Sequence, residues 1–117
     1  MHDDVRLVNM KELLLWGVRF RRRFRITGMS MTPLLKPGDE ILIDPRAYRR
    51  HSPCVGDIVV ARHPYRMDVR VIKRVAQVLN NDRYDLQGDN SIASTDSRSF
   101  GVVPRQHILG QVTSRFR

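Results

Sequence analysis

Ile26-Thr27-Gly28-Met29-Ser30-Met31-Thr32-Pro33-Leu34-Leu35-Lys36-Pro37-Gly38-Asp39 is the stretch on which the reading of this chain turns. Ser30 follows a glycine and sits between two methionines. Pro33 and Pro37-Gly38 then bend the chain into the apolar run Ile41-Leu42-Ile43. Such a position suits neither a helix interior nor the middle of a paired strand, so the hydroxyl is carried on a turn. Two readings remain open there. A turn serine can hydrogen-bond its own backbone, or it can present its oxygen to another molecule.

Outward from this turn the pattern is that of strands. Before it, apolar Phe20, Phe24 and Ile26 alternate with Arg21, Arg23, Arg25 and Thr27, with Arg22 as the exception. That predicts a strand with one solvated basic face. After it, strands are expected at Glu40–Asp44, Asp57–Arg62, Val69–Leu79, Arg83–Gln87 and Ile108–Ser114, separated by Gly, Pro, Asn and Asp turns. At the N-terminus, residues 1–8 read as a loose arm. Asn9 with Glu12 three residues on resembles a capping box, and Met10, Leu13, Leu14 and Val18 mark an apolar face, so a short helix is expected over 9–17. Such a helix docks on the domain or lies on a membrane or a partner. The fold class is therefore mainly β: a small sandwich or partly open barrel with a short N-terminal helix. An arm at 1–18 precedes one domain at 19–117, since 117 residues support a single modest core.

In Val69-Arg70-Val71-Ile72-Lys73-Arg74-Val75 the alternation sets Lys73 among Val69, Val71 and Val75, while Arg70 and Arg74 take the other face. Burial disfavours the ammonium form, and a lysine that is neutral near physiological pH is a competent general base. The alternative is a lysine that snorkels to solvent from an edge strand. The stretch from Gly88 to Gly101 is polar and rich in small residues yet bounded by strands, which makes it either a functional connection or a plain surface loop.

With 21 Lys and Arg against 12 Asp and Glu, the net charge of +9 allows nucleic acid, an anionic membrane or an acidic protein as partner. Nucleic acid is not expected, because only Phe20 and Phe24 interleave with the arginines and stacking platforms need more aromatic faces. The basic segment 19–25 could touch a membrane peripherally. No run approaches the roughly 20 apolar residues of a membrane span, and no signal-peptide pattern is found, so a soluble, cytoplasmic protein is expected. Cys54 is the one cysteine, which removes an internal disulfide; the four histidines have no ligand spacing, so neither metal nor cofactor is expected.

A turn serine, an apolar-face lysine and a polar return loop make up the parts of a Ser-Lys dyad. At this point the sequence resembles the type I signal peptidase superfamily over roughly residues 23–115. Ser30-Met31-Thr32-Pro33 with Gly38-Asp39 is similar to its nucleophile box, and Ile72-Lys73-Arg74-Val75 to its lysine box. Gly88-Asp89-Asn90 through Ser94, Asp96-Ser97-Arg98 and Gly101 is similar to its third box. The resemblance implies Ser30 as nucleophile and Lys73 as base, with Ser94 holding the lysine amine and Asp96 paired to Arg98. It also implies an oxyanion donor from the backbone of Ser30. Some members add a serine two residues before the nucleophile, where this chain has Gly28. A peptide substrate would add as an extended strand near Ile26, Met29, Met31, Pro33 and Val71. Ser94-Thr95-Asp96-Ser97-Arg98 and Ala61-Arg62-His63-Pro64 resemble the compact proteases that mature nickel-type superoxide dismutase, which implies a protein partner, that enzyme's precursor. The alternatives are a minimal signal peptidase at a membrane surface, a nucleic-acid-binding barrel and a self-cleaving protease.

Overall fold

In the computed structural model, which describes residues 5–17, 20–93 and 95–116, the chain forms one sheet of eight strands with two short helices. In chain order these are β1 (Arg6–Leu7), α1 (Met10–Gly17), β2 (Arg22–Arg25), β3 (Glu40–Asp44), β4 (Ile58–Arg62), β5 (Arg70–Leu79), β6 (Arg83–Gln87), α2 (Ser97–Phe100), β7 (Val103–Pro104) and β8 (Ile108–Arg115). The sheet order is β2-β3-β8-β4-β5-β6-β7, with β1 paired in parallel to β8 at Arg6↔Ser114. All other pairings are antiparallel. The protein is mainly β, as the alternation predicts.

Successive residues of β4 point to opposite faces, and both faces are apolar. Ile58 and Val60 join Ile26, Met31, Leu35, Ile41, Ile43 and Val112, whereas Val59 and Ala61 join Val75, Tyr84, Leu86, Phe100 and Val103. Phe24 and Ile72 pack into the first cluster although β3, β8 and β4 separate β2 from β5 in the sheet. A flat sheet could not bring them together. The sheet therefore curls into a half-barrel, with the first cluster inside the curl.

The core strands lie within a residue or so of their sequence expectation; the first strand is shorter. Ile26 leaves β2 but keeps two backbone bonds: its N–H donates to the Asp39 carbonyl, and its own carbonyl accepts from Gly38, both at 2.7 Å. Gly38 has φ of 91°, a left-handed conformation that only glycine adopts freely. Gly110 serves another need: a β-carbon there would lie 2.7 Å from the Asp44 carbonyl oxygen, so β8 can pass β3 only as glycine.

Residues 5–8 are not a loose arm. Val5 is fully buried in the first cluster, and the Val8 N–H donates to the Arg115 carbonyl at 2.9 Å. The helix forms where expected and Asn9 caps it, accepting from the Glu12 N–H at 2.9 Å. Its orientation is the reverse of the expected one. Met10, Leu13 and Leu14 are exposed, and the buried residue is Glu12. Glu12 accepts hydrogen bonds from the hydroxyls of Thr113 and Ser114 and lies 3.2 Å from Arg21. Val18 and the boundary between arm and domain at 18 and 19 lie outside the described residues.

Candidate active site

Ser30 sits half-buried on the turn after β2, anchored by a backbone that folds under it. Leu35 donates its N–H to the Met31 carbonyl at 2.9 Å, and Met31 and Leu35 are buried in the first cluster. A cis peptide joins Thr32 to Pro33. The turn is also fastened from outside. The Asn90 N–H donates to the Ser30 carbonyl at 2.7 Å, and the Asn90 side-chain amide donates to Thr32 Oγ1 at 2.9 Å. One residue of the return loop thus grips both sides of the serine turn.

Lys73 lies opposite Val59 in the β4–β5 register, with Val71 and Val75 of its own strand on the same face, and only 3% of its surface is exposed. Burial holds its pKa below the ordinary lysine value; the Asp96 carboxylate opposes that shift and the Arg98 guanidinium adds to it. Snorkelling to bulk solvent does not describe this side chain.

Asp96 is fully buried and organises the return loop. As the N-cap of α2 it accepts from the Arg98 N–H at 3.0 Å, and its other oxygen accepts from the Gly88 N–H at 2.9 Å. Arg98 Nε donates to the same carboxylate at 3.0 Å, completing an ion pair. Ser97 Oγ accepts from the Leu86 N–H at 2.9 Å, and Phe100 packs into the second cluster. Asp89 pairs with Arg74 of β5 at 2.9 Å. The loop from Gly88 to Gly101 is therefore built around α2 and stitched to both β5 and the serine turn. Ser94 lies outside the described residues.

A cleft of about 190 Å³ runs between the segment Phe24–Gly28 and the start of β5 at Arg70–Ile72, with Val60 and Met31 on its floor. Its lining ends at the neighbours of both key residues: Gly28 and Met31 flank the Ser30 turn, and Ile72 precedes Lys73. Of the positions expected to meet substrate, Ile26, Met31 and Val71 line this cleft. Met29 and Pro33 do not; both face solvent. Phe24, Arg25, Val60, Arg70 and Ile72 line it too, beyond the positions expected to meet substrate. Each sits on a recognisable strand, but only the curl of the sheet sets them face to face. A β-carbon on Gly28 would meet nothing within 4 Å, so the space beside the turn is open.

Both walls have free strand edges. β2 ends the sheet order, and β6 pairs with β5 only from Arg74 onward, so among the described residues no strand covers the outer edge of Arg70–Ile72. An extended peptide can add there by main-chain hydrogen bonds. Among the described residues, no three His, Cys, Asp or Glu side chains gather as metal ligands would, and no helix is long and apolar enough to cross a membrane.

Residues 7–78 and 76–117 match the family described as signal peptidase, peptidase S26. The chain is 33% identical over 108 residues to mitochondrial inner membrane protease subunit 1 of Xenopus tropicalis, covering 76% of this chain and 65% of that protein. It is 34% identical over 110 residues to mitochondrial ATP-independent inner membrane protease subunit 1b of Arabidopsis thaliana, covering 75% and 65%. A probable signal peptidase I-1 of Synechocystis is 28% identical over 134 residues, covering 78% and 68%. The chain thus spans about two thirds of the length of these relatives.

Proposed function

The chain belongs to the signal peptidase family, peptidase S26, and from that premise we propose that it is a serine endopeptidase with a Ser30–Lys73 dyad. The observation that carries the proposal is a buried lysine on an apolar strand face, at the end of a strand-edged cleft that leads to the turn of Ser30. Burial lowers the free-energy cost of the neutral amine, so Lys73 can accept the Ser30 proton as Oγ attacks the scissile carbonyl. It then returns that proton to the leaving amine. Water, deprotonated by the same amine, releases the acyl group. The Ser30 N–H stabilises the developing oxyanion; Gly28 contributes no side chain, so a second donor comes from elsewhere. Asp96 and Arg98 act at one remove. By neutralising each other and capping α2, they hold the wall beside Lys73.

The substrate is the N-terminal leader of a precursor protein. The family description and the name of the Synechocystis relative, a probable signal peptidase, favour a signal-peptide substrate. The narrower reading, the leader of nickel superoxide dismutase precursor, has the wording of residues 61–64 and 94–98 as its support. A cytoplasmic site of action belongs with that narrower reading.

The test is to incubate purified protein with each precursor and read the new N-termini by mass spectrometry, with Ser30→Ala as control. One cut before the nickel-binding residues, absent from the control, establishes the narrower substrate. Processing of the signal-peptide substrate alone keeps the dyad and rejects the nickel enzyme. Cleavage that survives Ser30→Ala rejects the dyad.

A further inference from the structure

Among the described residues, some arginines have a carboxylate beside them and others do not. Arg21, Arg23, Arg74, Arg98 and Arg105 each lie within 4 Å of a carboxylate, from Glu12 and Asp44 for Arg21 to Asp82 for Arg105. Arg6, Arg46, Arg49, Arg50, Arg66 and Arg83 have no carboxylate at ion-pair distance among the described residues, and neither do the four arginines Arg22, Arg25, Arg62 and Arg70. Arg25 acts on Glu40 only from farther off, since the Glu40 carboxylate is taken by Arg23 at 2.8 Å. All four line one place. Arg25 and Arg70 border the cleft, and an adjoining hollow of about 180 Å³ shares Phe24, Val60 and Arg70 with it and adds Arg22 and Arg62.

Two details indicate that this is more than a solvated basic face. Arg62 and Arg70 are direct register partners across β4 and β5, an arrangement in which like charges repel and weaken the pairing. The Arg70 guanidinium also lies 5.4 Å from the centre of the Phe24 ring, a cation–π contact that holds it at the cleft while its N–H donors remain available. Fold stability is served by neither the repulsion nor the missing counter-charges. A bound anion would relieve both.

We infer that the cleft selects substrates with a carboxylate side chain, bound by Arg70 together with Arg25 and Arg62. This rests on the reading of the cleft as a peptide-binding site. The free edges of the two walls fit an extended peptide better than they fit a flat lipid surface. Arg70 precedes Lys73 by three strand residues, roughly 10 Å. A substrate strand alongside β5 therefore carries its acidic residue about three positions from the scissile bond.

The test is a set of fluorescent peptides built on one cleaved precursor sequence. A single Asp is moved through four positions on either side of the cut, with Asn as its isostere and Lys as its opposite charge at each position. Cleavage is measured as kcat/KM on wild type, and binding is measured by anisotropy on Ser30→Ala. Expected is an Asp-over-Asn preference of roughly tenfold at one or two adjacent positions, weakened by salt. In the double variant Arg62→Glu, Arg70→Glu the preference at the same positions should pass from Asp to Lys. That reversal is read as a ratio within one variant, so a general loss of activity does not mask it. Equal handling of Asp and Asn throughout, or a preference that the double variant leaves intact, overturns the inference. Discrimination in binding with no cleavage by wild type would keep the acidic subsite and overturn the protease reading. Salt-sensitive binding to phosphatidylglycerol vesicles, lost in the double variant and accompanied by no peptide preference, would assign the arginines to a membrane and overturn the inference as well.

Discussion

Glu12 and Lys73 are both charged and both nearly sealed from solvent, yet the protein treats them in opposite ways. Burial alone would raise the Glu12 pKa. Hydrogen bonds from Thr113 and Ser114 and the charge of Arg21 outweigh it and hold the carboxyl below its ordinary range. For Lys73 burial dominates, and its nearby charges, Asp96 and Arg98, act in opposite directions while bonded to each other. A buried carboxylate with three dedicated donors is fixed in its charged form and serves as a fastener. A buried amine among valines is pushed toward its neutral form, the form that the proposed mechanism uses. Burial is common to both; what differs is whether the neighbours outweigh it.

The largest effect expected from breaking this contrast is catalytic. Lys73→Ala should lower kcat/KM on any cleaved precursor by at least about 10³-fold, with the fold retained by circular dichroism. Wild-type kcat/KM should rise with pH as the amine loses its proton, with a midpoint below the ordinary lysine value of 10.5. A flat profile, or substantial activity in Lys73→Ala, would remove the lysine from the mechanism.

Glu12→Ala should instead cost stability, about 2 kcal/mol for the stranded hydroxyls and Arg21, read as a lowered urea midpoint. The Glu12 pKa is depressed in the folded state. Its contribution is therefore complete above the ordinary value of 4.5 and is lost as pH falls through the folded value. Glu12→Gln should accordingly flatten the acid limb of the stability curve. An unchanged acid limb would mean that the carboxylate is not the fastener.

The smallest effect sharpens the comparison from the other side. Lys73→Met should raise stability near neutral pH by about 1 kcal/mol, because it removes an amine whose charged form burial disfavours. The lysine pKa is lower folded than unfolded, so the wild-type protein gains stability as pH climbs toward 10.5, and the Met variant should lack that gain. A melting temperature lower than wild type at pH 7 would show the amine to be structural.

The same two residues mark how far the sequence can be read. Lys73 was legible because its strand alternates cleanly and its neighbours are valines, so position alone put a charge on an apolar face. The turn of Ser30 was legible from its glycine and prolines. Glu12 was not. The pattern of Met10, Leu13 and Leu14 gives a well-formed apolar stripe, and the partners that draw Glu12 inward, Thr113 and Ser114, stand about a hundred residues away. Nothing local announces such a pairing. For the same reason β1 and β7, two residues each, went unseen: long-range pairing makes them strands, not propensity. α2 lies inside Gly88 to Gly101, whose polar, small-residue composition marks no element, although Asp96 is a sound N-cap for it. The cleft was half-legible. Ile26, Met31 and Val71 follow from strand alternation, whereas Phe24 and Arg70 meet only because the sheet curls.

The place of β8 has a consequence in time. It is the last strand in chain order among the described residues, yet it lies in the middle of the sheet, between β3 and β4. The turn of Ser30 hangs from the β2–β3 side and Lys73 from the β4–β5 side. Until residues 108–115 have left the ribosome and inserted, those halves share no ladder, and the cleft between them has no fixed width. On the proposed reading the dyad forms only once residues 108–115 join the two halves, so cleavage waits on the closing of the sheet.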